Sequence, residues 1–190
     1  FAAYMQRFIN DFGIGIIGGC CGTTPAHIRE LTKFKTVDLS RKNTDWDDSV
    51  SSLYQAVTIK QDSTYLNIGE RANANGSRAF KAALLAENYD ECIDIAKNQI
   101  RSGAHVIDLC IDYVGRDGVK DMIEIASRLA TSSTLPVMLD STEPAVIQAG
   151  LELLGGRCFI NSLNYEDGDE EGSRFHSMLQ LAKKHGAAVV

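Results

Sequence analysis

From residue 65 onward, short apolar segments alternate with longer segments whose apolar residues recur every three or four positions. The short segments predict buried β-strands, and the longer spacing predicts helices with one buried face. The five predicted strands cover residues 65–68, 105–109, 136–140, 157–161 and 187–190. The three helices that this periodicity predicts between them cover residues 89–100, 122–129 and 175–182.

The predicted strands carry few polar residues, so we expect both faces of the sheet to be covered and the strands to be parallel. Strands that alternate with helices form either a (β/α)8 barrel or an open doubly wound sheet. Such a barrel takes about 250 residues, so the strands of this chain would make a little over half of one. The pattern itself leaves both architectures open.

A different organisation precedes this region. Residues 14–17 predict a strand, and a helix is expected to begin at Pro25 with Thr24 as its N-cap. We interpret residues 1–33 as the end of a separate domain and the polar, weakly periodic residues 34–63 as an interdomain connection, in which Trp46 packs between the domains. The chain begins with Phe and ends on an apolar segment, so we expect a segment of a longer protein.

Composition narrows the classes of function. With 44% hydrophobic and 23% charged residues the chain is an ordinary globular protein, and its net charge of −6 offers no basic surface for nucleic acid. No apolar run reaches the roughly 20 residues that span a bilayer, and the first residues lack a secretory pattern. The five cysteines are scattered except for one adjacent pair. We therefore expect a cytoplasmic protein with reduced thiols and no nucleic-acid or membrane partner.

Polar residues follow four of the predicted strands at their carboxyl ends. In a parallel barrel these ends meet at one mouth, where active sites lie. With only Arg71 as an obvious cation, such a ring suits a neutral, donor-rich heterocycle such as a pterin, whose amino group and ring N–H can both donate to one carboxylate. For any single residue the alternative is a helix-capping role. The ring consists of Glu70, Asn73, Asp108, Asp112, Asp140 and Asn161.

Cys20 and Cys21 lie side by side in a glycine-rich segment, GGCCGTTP. Zinc binds thiolates, and a catalytic zinc site keeps three protein ligands and one open position. The helix that follows favours thiolate over thiol at its N-terminus. A structural zinc site or unreactive thiols are the alternatives. Backbone angles that larger residues resist are available to the neighbouring Gly18, Gly19 and Gly22.

Together these motifs resemble cobalamin-dependent methionine synthases over nearly the whole chain. The segment GGCCGTTPAHIR is similar to the closing zinc-ligand segment of that family's homocysteine-binding barrel. The resemblance implies an α/β fold in which residues 64–190 form part of a (β/α)8 TIM barrel of the pterin-binding, dihydropteroate-synthase-like type. The last βα unit of a second (β/α)8 barrel would precede it. Successive strand ends of the pterin-binding barrel are similar to NIGERANANGS, GAHVIDLCID, VMLDST and FINSL.

The resemblance further implies methyl transfer from 5-methyltetrahydrofolate through cobalamin to zinc-activated homocysteine, giving methionine and tetrahydrofolate. Cys20 and Cys21 correspond to two of three zinc ligands, and the third is expected outside this chain. Cobalamin would be bound by another domain of the same polypeptide, so we expect the isolated segment to be inactive. Asp140 and Asn161 match the family's pterin contacts most closely, and the further folate contacts would be Glu70, Asn73, Asp108 and Asp112.

The chemistry assigns different tasks to the two matched residues. The methyl group leaves N5 of the folate poorly unless N5 is protonated. Asn161 can hydrogen-bond near N5 without adding a charge, while Asp140 can anchor the pterin edge and favour positive charge on the ring. The alternatives are a methyltetrahydrofolate:corrinoid protein methyltransferase, for which the cysteines would be incidental, and a non-catalytic pterin-binding or zinc-structured interaction module.

Overall fold

The computed structural model describes residues 1–34 and 47–190 of the chain. It divides into two compact units, Phe1–Asp45 and Trp46–Val190. Residues 35–46 of the predicted connection, including Trp46, lie outside the described residues, so the prediction for Trp46 stays a prediction. In the described ranges, no helix has the length and apolar character needed to cross a membrane.

In residues 1–34, the described part of the first unit, there are two helices, α1 (Ala2–Phe12) and α2 (Pro25–Leu31). α1 ends where Gly13 takes a left-handed conformation with φ of 64°, and α2 begins as predicted, with Thr24 as its N-cap. The strand predicted over residues 14–17 is wrong, because the structure has no strand there. A strand needs a neighbour to satisfy its backbone hydrogen bonds, and residues 1–34 contain no second strand that could pair with it.

The second unit opens with a two-stranded antiparallel sheet. β1 (Ser49–Ser51) pairs with β2 (Ala56–Thr58) inside the region that the sequence suggests is a connection. Val50 is fully buried, and the backbones of Ser51 and Arg157 pair with each other. Residues 49–58 are therefore ordered by contact with the main sheet. The predicted domain boundaries stay predictions.

The main sheet has five parallel strands in the order β3-β4-β5-β6-β7. Every predicted strand is present, but the first is displaced: it shares only Ile68 with the predicted residues 65–68 and continues through all of GERAN, residues 69–73. The strands are β3 (Ile68–Asn73), β4 (Val106–Cys110), β5 (Val137–Asp140), β6 (Phe159–Asn161) and β7 (Ala188–Val189).

Five helices follow or connect these strands. The three that the periodicity predicts are present, and two shorter helices, α3 and α6, were not predicted individually. Their bounds are α3 (Arg78–Leu85), α4 (Tyr89–Arg101), α5 (Gly118–Ser132), α6 (Pro144–Leu153) and α7 (Arg174–His185).

All five helices pack on one face of the main sheet. A single buried cluster joins residues from each of them to the outward-facing strand residues Ala72, Ile107, Leu109, Leu139 and Ile160. A doubly wound sheet carries helices on both faces, whereas a (β/α)8 barrel carries all of them outside. One-sided helices and a strictly sequential strand order are therefore those of a partial (β/α)8 barrel.

The inner face has its own small core at the amino end of the strands. Val50 and Val57 of the hairpin pack there against the first residues of four strands, which are Ile68, Val106, Phe159 and Ala188. The guanidinium of Arg157 also donates to the carbonyl of Ser49 at 2.8 Å. The hairpin thus covers the amino end of the inner face, and the carboxyl end remains for a functional site.

Candidate functional site

The inner face becomes polar toward the carboxyl ends of β4, β5 and β6. Alternate residues of a strand share a face, so on each of these strands the inward-facing polar residue follows an inward-facing apolar residue two positions earlier. The strand register brings these polar residues to the same height, because Asp140 of β5 pairs with Asn161 of β6. The apolar residues are Val106, Met138 and Phe159, and the polar residues two positions later are Asp108, Asp140 and Asn161.

A β-bulge in β3 adds two more side chains to this face. Gly69 pairs with Ile107 and Ala72 pairs with Leu109, so two residues of β3 oppose one residue of β4 between these pairs. The extra residue shifts the alternation by one position. Glu70, two residues after the inward-facing Ile68, and Asn73, three residues beyond Glu70, therefore share the inner face.

Hydrogen bonds fix the orientation of Asn73. Its Oδ1 accepts the backbone N–H groups of Asn75 at 2.9 Å and Gly76 at 2.8 Å. Its Nδ2 donates to Oδ2 of Asp108 at 3.1 Å. An amide nitrogen carries two donor hydrogens, so one remains for a ligand.

The carboxyl groups of this face have raised pKa values. Asp108 is only 3% exposed, and burial raises its pKa to about 6 against the hydrogen bond from Asn73, with further increases from the charges of Asp140 and Glu70. Burial also raises the pKa of Asp140, to which the charges of Asp112 and Glu70 add. The same negative potential favours a ligand that is cationic or rich in hydrogen-bond donors.

Asp112 connects two loops of the mouth. Its carboxylate accepts the hydroxyl of Ser141 at 2.9 and 2.8 Å and the backbone N–H of Thr142 at 3.3 Å. These contacts join the β4–α5 loop to the β5–α6 loop, so Asp112 has a structural role. Beside them lies a cavity of about 710 Å³, whose lining includes Asn75, Asp112, Tyr113, Arg116, Thr142 and Glu143.

In the first unit, a tight turn holds the two adjacent thiols. The backbone N–H of Thr23 donates to the carbonyl of Cys20, and the hydroxyl of Thr23 accepts the N–H of Cys20, both at 2.9 Å. Only Gly22 uses the conformational freedom expected of the glycines, with φ of 81°. Gly19 provides space instead, because a Cβ there would clash with Oγ1 of Thr23. Gly18 has neither constraint, so the predicted backbone role is wrong for both Gly18 and Gly19.

The two thiols have the spacing of zinc ligands. Cys20 and Cys21 are free and exposed, and their sulfur atoms lie 3.8 Å apart. Zn–S bonds of about 2.3 Å at a tetrahedral angle place two sulfurs about 3.8 Å apart, so the pair fits zinc. Hydrogen bonds from the backbone N–H and the thiol of Cys21 hold the pKa of Cys20 below its ordinary value. Within residues 1–34 and 47–190, no group of three or more His, Cys, Asp or Glu residues is placed to hold a metal ion.

Comparison with known families addresses both regions. The family model described as pterin binding enzyme matches residues 69–190, which hold all of the strand ends described above. The chain belongs to the pterin binding enzyme family. A second model, homocysteine S-methyltransferase, matches residues 1–34, which contain the thiol pair.

Curated relatives confirm the resemblance drawn from the sequence. The chain is 61% identical over 190 residues to a methionine synthase of Mycobacterium tuberculosis and 57% identical over 195 residues to one of Mycobacterium leprae. Each alignment covers 100% of this chain but only 16% of the relative's length. The chain thus corresponds to about a sixth of these relatives.

Solved structures confirm the fold. A Yersinia pestis dihydropteroate synthase in a sulfonamide drug complex matches with a TM-score of 0.52 at 16% identity. A second structure of the Yersinia pestis enzyme, with a pterine-sulfa conjugate, matches with a TM-score of 0.50 at 17% identity. Each match covers 74% of this chain and 48% of the other.

The sequence did not indicate two residues that lie near the strand-end ring, Cys110 and Asn75. Burial raises the pKa of Cys110 to about 12, so it stays a thiol at neutral pH, and its sulfur lies 3.8 Å from Nδ2 of Asn75. Cys110 lies two positions beyond Asp108 on β4, and strand alternation alone could have found it. The side chain of Asn75 donates to the carbonyl of Asp112 at 3.2 Å, a contact between two loops that no sequence pattern signals.

Proposed function

We propose that this chain carries the folate site and two zinc ligands of a cobalamin-dependent methionine synthase. The observation that carries this proposal is the presence, in one chain, of two chemically distinct sites. One is a ring of carboxylates and amides at the strand ends of a pterin-binding barrel. The other is a thiol pair with zinc spacing in a segment of the homocysteine S-methyltransferase type.

In the folate site, Asp140 accepts hydrogen bonds from the amino group and adjacent ring N–H of the pterin. This arrangement resembles the paired contacts that a carboxylate makes with a guanidinium group. Asn73 offers its remaining Nδ2 hydrogen to an acceptor on the ring, and its orientation needs no adjustment because three hydrogen bonds already hold it. Asp108 accepts a hydrogen bond from this amide and is the most deeply buried carboxyl group of the proposed ring.

The methyl donor reacts only when N5 of the folate carries a proton. The negative potential that raises the pKa values of Asp108 and Asp140 also raises the pKa of a basic nitrogen bound beside them. Asn161 hydrogen-bonds at N5 and supports the protonated ring without adding a charge. Cobalamin, held by another domain of the polypeptide, would supply the methyl carrier between the folate and homocysteine.

Cys20 and Cys21 would hold zinc together with a third ligand from outside this chain. When bound, zinc lowers the pKa of the homocysteine thiol and keeps it as a thiolate at neutral pH. The turn formed with Thr23 holds both sulfurs at the required separation.

The test uses the full-length protein that contains this chain. Zinc content is measured, and 5-methyltetrahydrofolate and homocysteine are titrated separately by calorimetry. The proposal expects stoichiometric zinc and binding of both ligands, with homocysteine binding lost after zinc removal and folate binding retained. Folate binding without zinc or homocysteine would instead indicate a methyltetrahydrofolate:corrinoid protein methyltransferase. Absence of folate binding would contradict the proposal.

A further inference from the structure

Gln99 is a buried residue of α4 that contacts the bulge in β3. Its side chain is 4% exposed, and its Oε1 accepts the backbone N–H of Arg71 at 2.7 Å. Arg71 is one of the two residues that oppose a single residue of β4. A bulge interrupts the hydrogen-bond ladder, and a buried donor without a partner destabilises the folded state. Gln99 therefore supplies an acceptor where the sheet is irregular.

Gly69 makes room for this contact. A Cβ at Gly69 would lie 2.6 Å from Oε1 of Gln99 and 3.2 Å from the Cβ of Ala104. Its φ lies outside the left-handed region, so the backbone alone would accept alanine here. The absence of a side chain thus serves the approach of Gln99 to the strand.

The bulge determines which side of the sheet Asn73 faces. In a regular strand, residues three positions apart point to opposite faces, so Glu70 and Asn73 would be separated by the sheet. With the bulge, Ala72 joins the outer core and Asn73 reaches Asp108 on the inner face. The contact made by Gln99 on the helix side therefore affects the composition of the inner face.

We propose that Gln99 is a positioning residue for folate binding. Its amide oxygen holds the β3 bulge through the N–H of Arg71, and the bulge places Glu70 and Asn73 beside Asp108. Gln99 itself touches no ligand. This inference rests on the proposed function, because it takes Asn73 as a folate contact.

The oxygen and the nitrogen of the Gln99 amide can be tested with separate variants. Among the described residues, Nε2 has no hydrogen-bond partner, so Oε1 is the part that holds the bulge. Gln99→Met keeps the volume and removes the acceptor. Gln99→Glu keeps an acceptor oxygen in either protonation state. Ile93→Val is the control, because Ile93 is a core residue of α4 more than one turn before Gln99.

The experiment measures the Kd for 5-methyltetrahydrofolate in the full-length protein. We expect Gln99→Met to raise the Kd about tenfold, equivalent to about 1.4 kcal/mol. Gln99→Glu restores binding to within about threefold of the wild-type value, and Ile93→Val stays within the same range although it also loses core packing. An unchanged Kd in Gln99→Met, or an equal loss in Ile93→Val, would overturn the positioning role.

Amide hydrogen exchange gives a readout that needs no ligand. Exchange at Arg71 is expected to accelerate in Gln99→Met and to remain slow in Gln99→Glu and Ile93→Val. Gly69→Ala should reproduce the fast exchange, because its Cβ displaces the Gln99 amide. A wild-type protein that fails to bind the folate overturns the proposed function. A wild-type protein that binds it, with Arg71 exchange and Kd unchanged in Gln99→Met, overturns only the role of Gln99.

Discussion

The thiol pair and the strand-end ring are built in opposite ways. Cys20 and Cys21 are exposed neighbours within one turn, fixed by Thr23 and two glycines. The ring gathers side chains from β3, β4, β5 and β6, and its deepest carboxyl, Asp108, is almost fully buried. A site made from one turn depends on local geometry, whereas a site made from four strands depends on the register of the whole sheet.

Because of this difference, we expect substitutions in the two sites to have different effects on stability. A change in the thiol pair alters metal ligands with little effect on the core, because both residues lie outside it. A change at Asp108 or Asp140 alters both ligand binding and stability, since burial raises the pKa of both carboxyl groups. Substitutions in each site test that separation.

The largest effect is expected from Cys20→Ser and Cys21→Ser. A serine hydroxyl is a far weaker zinc ligand than a thiolate, so either variant should lose zinc and with it the methylation of homocysteine. Folate affinity should stay at the wild-type value. Thr23→Ser is the control, because it keeps the hydroxyl that holds the turn. Retention of full zinc content by both cysteine variants, measured by elemental analysis, would contradict the assignment.

Asn161→Ala should mainly slow the chemical step. Loss of the hydrogen bond at N5 is expected to reduce single-turnover methyl transfer from the folate about a hundredfold, within the range for assisted proton positioning. The Kd should change by less than about threefold. Asn164→Ala removes an amide from the following loop and should leave the rate unaltered. Equal rates in the two variants would exclude Asn161 from catalysis.

Asp140→Ala should mainly weaken binding. Removal of the carboxylate that receives the pterin edge is expected to raise the Kd between about tenfold and a hundredfold, or about 1.4–2.8 kcal/mol. The rate at saturating folate should fall less than in Asn161→Ala. Asp169→Ala is an exposed control in the β6–α7 loop. Unchanged affinity in Asp140→Ala would remove this residue from the site.

The sequence was sufficient for features that depend on local pattern. Strand and helix periodicity predicted the number of parallel strands and three helices correctly, with the first strand displaced, and the adjacent cysteines were visible directly. It failed where a distant contact decides the outcome. Residues 14–17 are apolar but lack a partner strand among residues 1–34, while the hairpin at residues 49–58 is ordered by packing beneath the barrel.

The candidate ring was predictable only as a set of residues. Position at the strand ends indicated the six candidates, yet the bulge that turns Asn73 inward depends on Gln99, 26 positions further along the chain. The raised pKa of Asp108 likewise depends on burial and on neighbours from other strands. From the sequence, Asp112 could have bound a ligand or served a structural role. Its hydrogen bonds with Ser141 and Thr142 show that it connects two loops.

Asp108→Asn should produce the smallest effect and one of opposite sign, a gain in stability. Burial raises the pKa of Asp108 from 3.8 to about 6, so the folded state holds a proton that the unfolded state releases as pH rises through this interval. Stability from this group is therefore present below about pH 4 and lost above about pH 6. Asparagine has no such loss and can still accept the bond from Asn73.

The gain should be roughly 1–2 kcal/mol in free energy of unfolding at pH 7.5 and should vanish near pH 4. Urea unfolding at both pH values measures it, with exposed Asp94→Asn as the control. Folate affinity should fall in the same variant, because the negative potential around the pterin weakens. Equal stability of Asp108→Asn and wild type at pH 7.5 would show that the buried charge of Asp108 does not destabilise the fold. The ring and the thiol pair would then differ only in geometry.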